Sequence, residues 1–225
     1  MQRHFDKELE GLKTSLIKMG SIVEESVQLS VKALLEMNLS LLEQVNENED
    51  RTNSLEIEID NTIVDILALH QPVATDLRFI LAAQKINNDL ERIGDHAINI
   101  AESVTALYKK GGKLELISIP KMAQIVEEML GNSLDSFIHN DPKLGMDVLG
   151  NDDKIDELNR NIFKCVVDRM KDNQNMIETG MELIRISRNL ERIADLSTNI
   201  AEEVIFIAQA RIVKHHAGDK KEDTA

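Results

Sequence analysis

Apolar residues recur at alternating three- and four-residue steps along nearly the whole chain, the spacing of helices that bury one face. Leu9, Leu12, Leu16, Met19, Val23, Ser26, Ser30, Ala33 and Met37 form one such seam. The pattern predicts a first helix from about Asp6 to Met37 with a short continuation to Val45, a second from Glu49 to His70 and a third from Thr75 to Lys109. The second half repeats the plan: Lys121 to His139 with a short piece after Pro142, then Asp152 to Lys171, then Met176 to Arg211. The prolines punctuate these segments. Gln71-Pro72 marks a turn, because the residue before Pro avoids the α region. Asp141-Pro142 reads as an N-cap followed by Pro at the first helical position. The stretch from Gly111-Gly112 to Pro120 divides the halves. The expected fold is all-α: two similar three-helix bundles related by internal duplication, 1–112 and 119–213, with a polar, disordered tail over 214–225.

The third helix of each half carries the clearest repeat. Ile80 to Val104 and Gly180 to Val204 align without a gap, 100 residues apart, with eleven identities in 25 positions. Six identities are apolar: Ile86, Leu90, Ile93, Ile100, Ala101 and Val104, with their counterparts. These face one side of the helix, and packing explains them. The other five, Glu91, Arg92, Asp95, Asn99 and Glu102, with Glu191, Arg192, Asp195, Asn199 and Glu202, lie away from it. Glu91, Asp95, Asn99 and Glu102 share a narrow stripe.

A solvated face needs polarity, not one particular residue at each place. Acids four apart also repel, by roughly 0.2–0.5 kcal/mol per pair. Two readings stand. One is an acidic stripe tied by ion pairs to Arg92, Arg188 and Arg192. The other is a cation site, since carboxylates and amide carbonyls are hard oxygen ligands. A partner-docking surface is compatible with both.

A second acidic pair, Asp152 and Asp156, opens the second helix of the C-terminal half. Helix capping and the macrodipole also favour Asp there. In an antiparallel bundle this end can approach Glu191 and Asp195. The equivalent N-terminal pair is Glu49 and Asn53, one charge fewer, which predicts weaker cation binding in that half.

Composition narrows the function classes. Net charge is −14 and aromatics are 3% of 225 residues, so the chain lacks both a basic surface for phosphates and stacking platforms for bases. Nucleic-acid binding is not expected. No apolar run approaches the roughly 20 residues of a membrane span, and MQRHFDKELEG has no signal-peptide character. A single cysteine, Cys165, in the helical pattern I-F-K-C-V-V, reads as a packed structural thiol. A cytoplasmic location without direct membrane insertion is the expectation.

Taken together, these residues resemble the PhoU family of phosphate-signalling regulators. The resemblance rests on two L-E-R-I-x-D…N-I-A-E segments, the acid-x-x-x-acid opening of the second helix, and Q-P-V-A-T-D-L-R from Gln71 to Arg78. It implies a cytoplasmic metal-binding negative regulator of the phosphate-starvation response. It further implies an adaptor between the ATPase subunit of a phosphate ABC transporter and a sensor histidine kinase. Metal ligands implied by it are Asp152/Asp156 with Glu191/Asp195, and Glu49/Asn53 with Glu91/Asp95. Asn99, Asn199, Glu102 and Glu202 are further candidates. Family members carry metal, in some cases as multinuclear clusters; all-oxygen donors favour iron, Mg, Mn or Ca over zinc. Exposed helical faces suit a homodimer. The competing class is a helical-bundle metalloenzyme of di-iron or phosphohydrolase type. No Glu is followed by His three residues later and no His-Asp cluster exists, so no enzyme is expected.

Overall fold

The structure, a computed structural model, describes residues 2–111 and 115–210. Its elements are α1 (Gln2–Glu36), α2 (Leu41–His70), α3 (Ala74–Lys110), α4 (Ile119–His139), α5 (Pro142–Leu149), α6 (Asp152–Asp172) and α7 (Ile177–Gln209), with a 3-10 turn at Gln174–Met176 before α7. No strand occurs among the described residues. The polar tail expected from Lys214 lies outside them.

The α1 seam is the expected one. Leu12, Leu16, Met19, Val23 and Ala33 are buried, and so are Ser26 and Ser30, whose hydroxyls donate to the carbonyls of Ile22 and Val27. One boundary differs. The segment after Met37 does not continue the first helix: Leu41–Val45 is the opening of α2. Met37 takes φ 50°, Asn38 N–H donates back to Ala33 O, and the Asn38 amide oxygen accepts from Ser40 N–H and Oγ. Apolar periodicity hides this turn because Met37, Leu39 and Leu41 all pack on the core. In the second half the equivalent stretch does break, since α5 ends at Leu149 and α6 starts at Asp152. Asp141 caps α5 by accepting from Lys143 and Leu144 N–H, as its place before Pro142 predicts. Cys165 is half-buried on α6 rather than fully packed.

In each half the first two helical layers pack on a long third helix, and α3 and α7 then form the most extensive helix pair in the molecule. They run antiparallel, for Lys85 meets Glu203, His96 meets Asn189, and Glu102 meets Arg185. The repeated apolar residues Ile86, Leu90, Ile93 and Ile100, with Ile186, Leu190, Ile193 and Ile200, are all at most 1% exposed. One continuous core therefore runs through both halves. The halves also meet at α1 and α4, where a Cβ on Gly20 would sit 2.7 Å from Leu134 Cδ2. The outer faces of α3 and α7 remain for chemistry.

Candidate metal centres

The start of α2 packs against the middle of α3. Gly94 makes the approach close, since a Cβ there would lie 3.2 Å from Glu49 Oε2 and 3.5 Å from Thr52 Cγ2. Glu49 and Asp95 consequently meet, carboxyl to carboxyl, within hydrogen-bonding reach. The Asn53 amide donates to Glu49 Oε1 at 3.2 Å. Glu91 lies one turn before Asp95 and feels the charges of Asp95, Glu56 and Glu49. The first cluster is thus Glu49, Asn53, Glu91 and Asp95, with Glu56 beside it. Glu56 was not visible as a motif member because it stands seven residues after Glu49, two turns on, rather than four. That i, i+7 spacing was the available signal.

The second cluster repeats the geometry at the start of α6. Asp152 faces Asp195, Asp156, Asp153 and Glu191, so the structure brings together Asp152/Asp156 and Glu191/Asp195. Here arginines intervene. Arg192 Nη1 lies 3.0 Å from Asp195 Oδ2, and Arg160 Nη1 lies 3.6 Å from Asp156 Oδ2. In the first half the matching Arg92 leans instead toward Asp89, at 3.9 Å. The ion-paired reading of the stripe describes the second cluster better than the first.

Asn99, Glu102, Asn199 and Glu202 are not brought to either cluster. Arg185, on α7, donates to Asn99 Oδ1 at 2.9 Å and to Glu102 Oε2 at 2.5 Å. The Asn99 amide group donates to the Asp95 carbonyl oxygen, so both ends of Asn99 are engaged. The reciprocal position, Lys85 on α3, bonds Glu203 Oε1 at 2.7 Å. Asn199 donates to Asp89, and Glu202 lines the same polar pocket as Lys85, Asp89 and Arg92. These repeated residues join the two halves across the α3/α7 pair. Glu102→Ala is accordingly expected to leave metal content unchanged and to cost at most about 1 kcal/mol of stability, an effect that fades at high salt. Denaturation at low and high salt checks this; loss of bound metal in the variant contradicts it.

Electrostatics mark both clusters as under-neutralised. Burial, then neighbouring like charges, pushes Glu49, Glu91 and Asp152 above the usual carboxylate range; burial does the same to Asp195 despite Arg192. Burial lifts Asp89, nearby on α3, to about 6. Through these carboxyl groups the folded chain holds more protons than the unfolded one between the ordinary carboxylate range and about pH 6, so their contribution to stability falls as pH rises through that window. His96, which burial holds below its ordinary value, opposes them as the single described group shifted the other way beside the clusters. Metal-free protein is expected to melt at progressively higher temperature as pH drops from about 7 to 5. A bound cation replaces those protons, so the stabilisation it brings is largest near pH 7 and shrinks toward 5. Thermal melts in chelator and in manganese check both trends. A metal-free midpoint that climbs with pH contradicts them.

The donor chemistry fits a hard cation: three carboxylates and an amide in the first cluster, four carboxylates in the second, each with Glu56 or Asp153 alongside. Among the described residues, no group of three His, Cys, Asp or Glu side chains already stands in position to hold an ion. Closing either cluster on an ion therefore needs side-chain movement. An apolar groove of about 350 Å³, lined by Leu9, Phe79, Phe137, Val204 and Ile207 and rimmed by Asp6, Glu10 and Asp76, lies elsewhere on the molecule. The sequence pattern gave no sign of it, because its walls come from four helices.

Fold and site together define an internally duplicated helical-bundle protein with one acidic cluster in each half. The PhoU domain family model matches residues 16–104 and 119–204. A phosphate-specific transport system accessory protein PhoU homolog of Aquifex aeolicus is 37% identical, over 96% of this chain and 98% of its own length. One from Zymomonas mobilis is 36% identical over 92% and 87%. Among solved structures, PhoU from Pseudomonas aeruginosa superposes with a TM-score of 0.90 at 34% identity, covering 92% of this chain and all of that one. The phosphate transport system regulatory protein PhoU from Streptococcus pneumoniae gives 0.84 at 28% identity, over 93% and 99%. The chain belongs to the PhoU family, whose members are transport accessory proteins rather than enzymes. No helix among the described residues is long and apolar enough to cross a membrane.

Proposed function

We propose that this chain is a cytoplasmic accessory protein of phosphate uptake whose two acidic clusters hold cations of the iron, manganese or magnesium class. The observation that carries this reading is the repeat itself. Carboxylates from two helices converge at the same place in each half, with their charges only partly neutralised. In a molecule of net charge −14, a bound cation turns each cluster from a source of repulsion into a cross-link between the second and third helices of its half. That cross-link sets the shape and charge of the outer face of α3 and α7.

The loaded face then serves as a docking surface. Its partners, on this reading, are the ATPase subunit of a phosphate ABC transporter and the cytoplasmic part of a sensor histidine kinase, and bridging them restrains the phosphate-starvation response. A second copy of the chain is a further partner. Exposed apolar side chains at Leu81 and Met181, equivalent places in the two repeats, offer it contact surface. Size-exclusion binding of the purified ATPase subunit and kinase fragment, with manganese and with chelator, tests the docking role. Metal-dependent complexes with both are expected. Absence of either complex under metal-loaded conditions overturns the adaptor reading.

A further inference from the structure

The apolar groove away from the acidic clusters lies where the two halves meet. Its walls come from α1, α3, α4 and α7, through Leu9, Phe79, Phe137, Val204 and Ile207. Phe79 and Phe137, one from each half, stack with their rings 7° from parallel and their centroids 6.4 Å apart. Leu9, Phe79 and Ile207 are only partly buried, so the groove presents apolar surface to its open side. Its volume, about 350 Å³, suits a few side chains and stands at the small end of the roughly 300–1,000 Å³ of binding pockets. The rim is acidic. Asp6, Glu10 and Asp76 stand on it, and among the described residues none of the three forms an ion pair. The cation in the lining, Lys13, already donates its ammonium group to the Ile138 carbonyl oxygen at 3.1 Å. Such a groove matches an apolar segment with positive charge at its edges.

The chain's own sequence supplies a segment of this chemistry beside it. Helix α7 gives Val204 and Ile207 to the groove and ends at Gln209. Ala210, the last described residue, takes φ 53° and donates its N–H to Phe206 O, a left-handed cap that turns the chain off the helix axis. The next four residues in the sequence are Arg211, Ile212, Val213 and Lys214. Two β-branched apolar residues thus stand between two cations, in a chain of net charge −14. Arg211 follows Ile207 by four residues, and three residues of extended chain from Ala210 reach about 10 Å. We propose that residues 211–214 fold back over the groove, with Ile212 and Val213 on its apolar floor and Arg211 and Lys214 against Asp6, Glu10 and Asp76. A segment tethered this closely meets the groove at an effective concentration in the millimolar range, so a weak contact is enough to close it. Closure ties the end of α7 to α1 and α3 across the junction of the halves. The groove then opens to any other apolar segment only when this one leaves.

Methyl NMR of the full chain tests this, with a nitroxide attached at H215C in a C165S background and isotope-labelled leucine methyl groups. Leu9, on the α1 wall of the groove, is the reporter. Leu42 is the control, about 40 Å along α2 from the end that packs on Phe5. The Leu9 signals should lose most of their intensity to the nitroxide and recover it in I212D/V213D, with Leu42 unchanged in both. Reversing the rim with D6K/E10K should also release Leu9, and adding R211E/K214E should restore the broadening. That rescue separates charge matching from damage to the fold. Leu9 signals left sharp in the parent, broadened equally in I212D/V213D, or not broadened again by the charge swap each overturn the assignment. Broadening of Leu9 only when nitroxide and methyl label sit on different molecules puts a second copy in the groove and overturns it as well.

Discussion

Asp95→Asn is expected to stabilise the metal-free protein at pH 7 while weakening metal binding in the first half. The Glu49 and Asp95 carboxyl groups face each other, and burial together with the Asp95 charge pushes Glu49 above the usual carboxylate range. Among the described residues no arginine bridges Asp95 as Arg192 bridges Asp195, for Arg92 leans toward Asp89. An asparagine at 95 exchanges a carboxylate pair for an amide donating to the Glu49 carboxylate. A hydrogen bond to a charged group contributes about 1.5–3 kcal/mol when well buried. Discounted for the exposure of this site, about 1 kcal/mol remains, or a rise of roughly 2–4 °C in Tm for a chain of this size. Added manganese should then raise Tm less in the variant than in the parent. A lower metal-free Tm in Asp95→Asn contradicts the picture of a repulsive cluster awaiting a cation.

The largest loss of stability is expected at the α3/α7 pair. Leu190 is fully buried on the α7 face turned toward the shared core, in the position Leu90 holds on α3. Truncating it to alanine removes three buried carbon atoms and leaves a cavity that two long packed helices close only in part. The cost is about 2–5 kcal/mol, a fall of roughly 5–15 °C in Tm. Because one core spans both halves, unfolding should remain a single transition in denaturant. Two separate transitions in Leu190→Ala would show that the halves are energetically independent.

Much of this was legible in the chain. The helices were readable because their apolar seams run for many turns, and the duplication because eleven identities survive in 25 positions. The pairing of Glu49 with Asp95 was implied by the family resemblance, and antiparallel packing of neighbouring helices allowed that of Asp152 with Asp195 without requiring it. The role of Asn99 and Glu102 did not. They share an angular stripe with Glu91 and Asp95, but α3 spans about 55 Å, and one stripe meets different neighbours along that length. Near Asp95 the neighbour is α2; one to two turns later it is Arg185 of α7. A helical wheel contains angle but not neighbour. The turn at Met37–Ser40 was hidden for a related reason, since its apolar residues stay on the core through the break.

The central claim, that the repeated carboxylates are cation sites, is tested most directly by metal content per chain. Plasma mass spectrometry of tag-free protein purified without chelator supplies it, alongside Asp95→Ala with Asp195→Ala. Manganese, iron or magnesium in stoichiometric amount, lost in the double variant, is the result predicted here. Equal metal content in the two proteins, or none in either, contradicts it and leaves the acidic faces as docking surface alone.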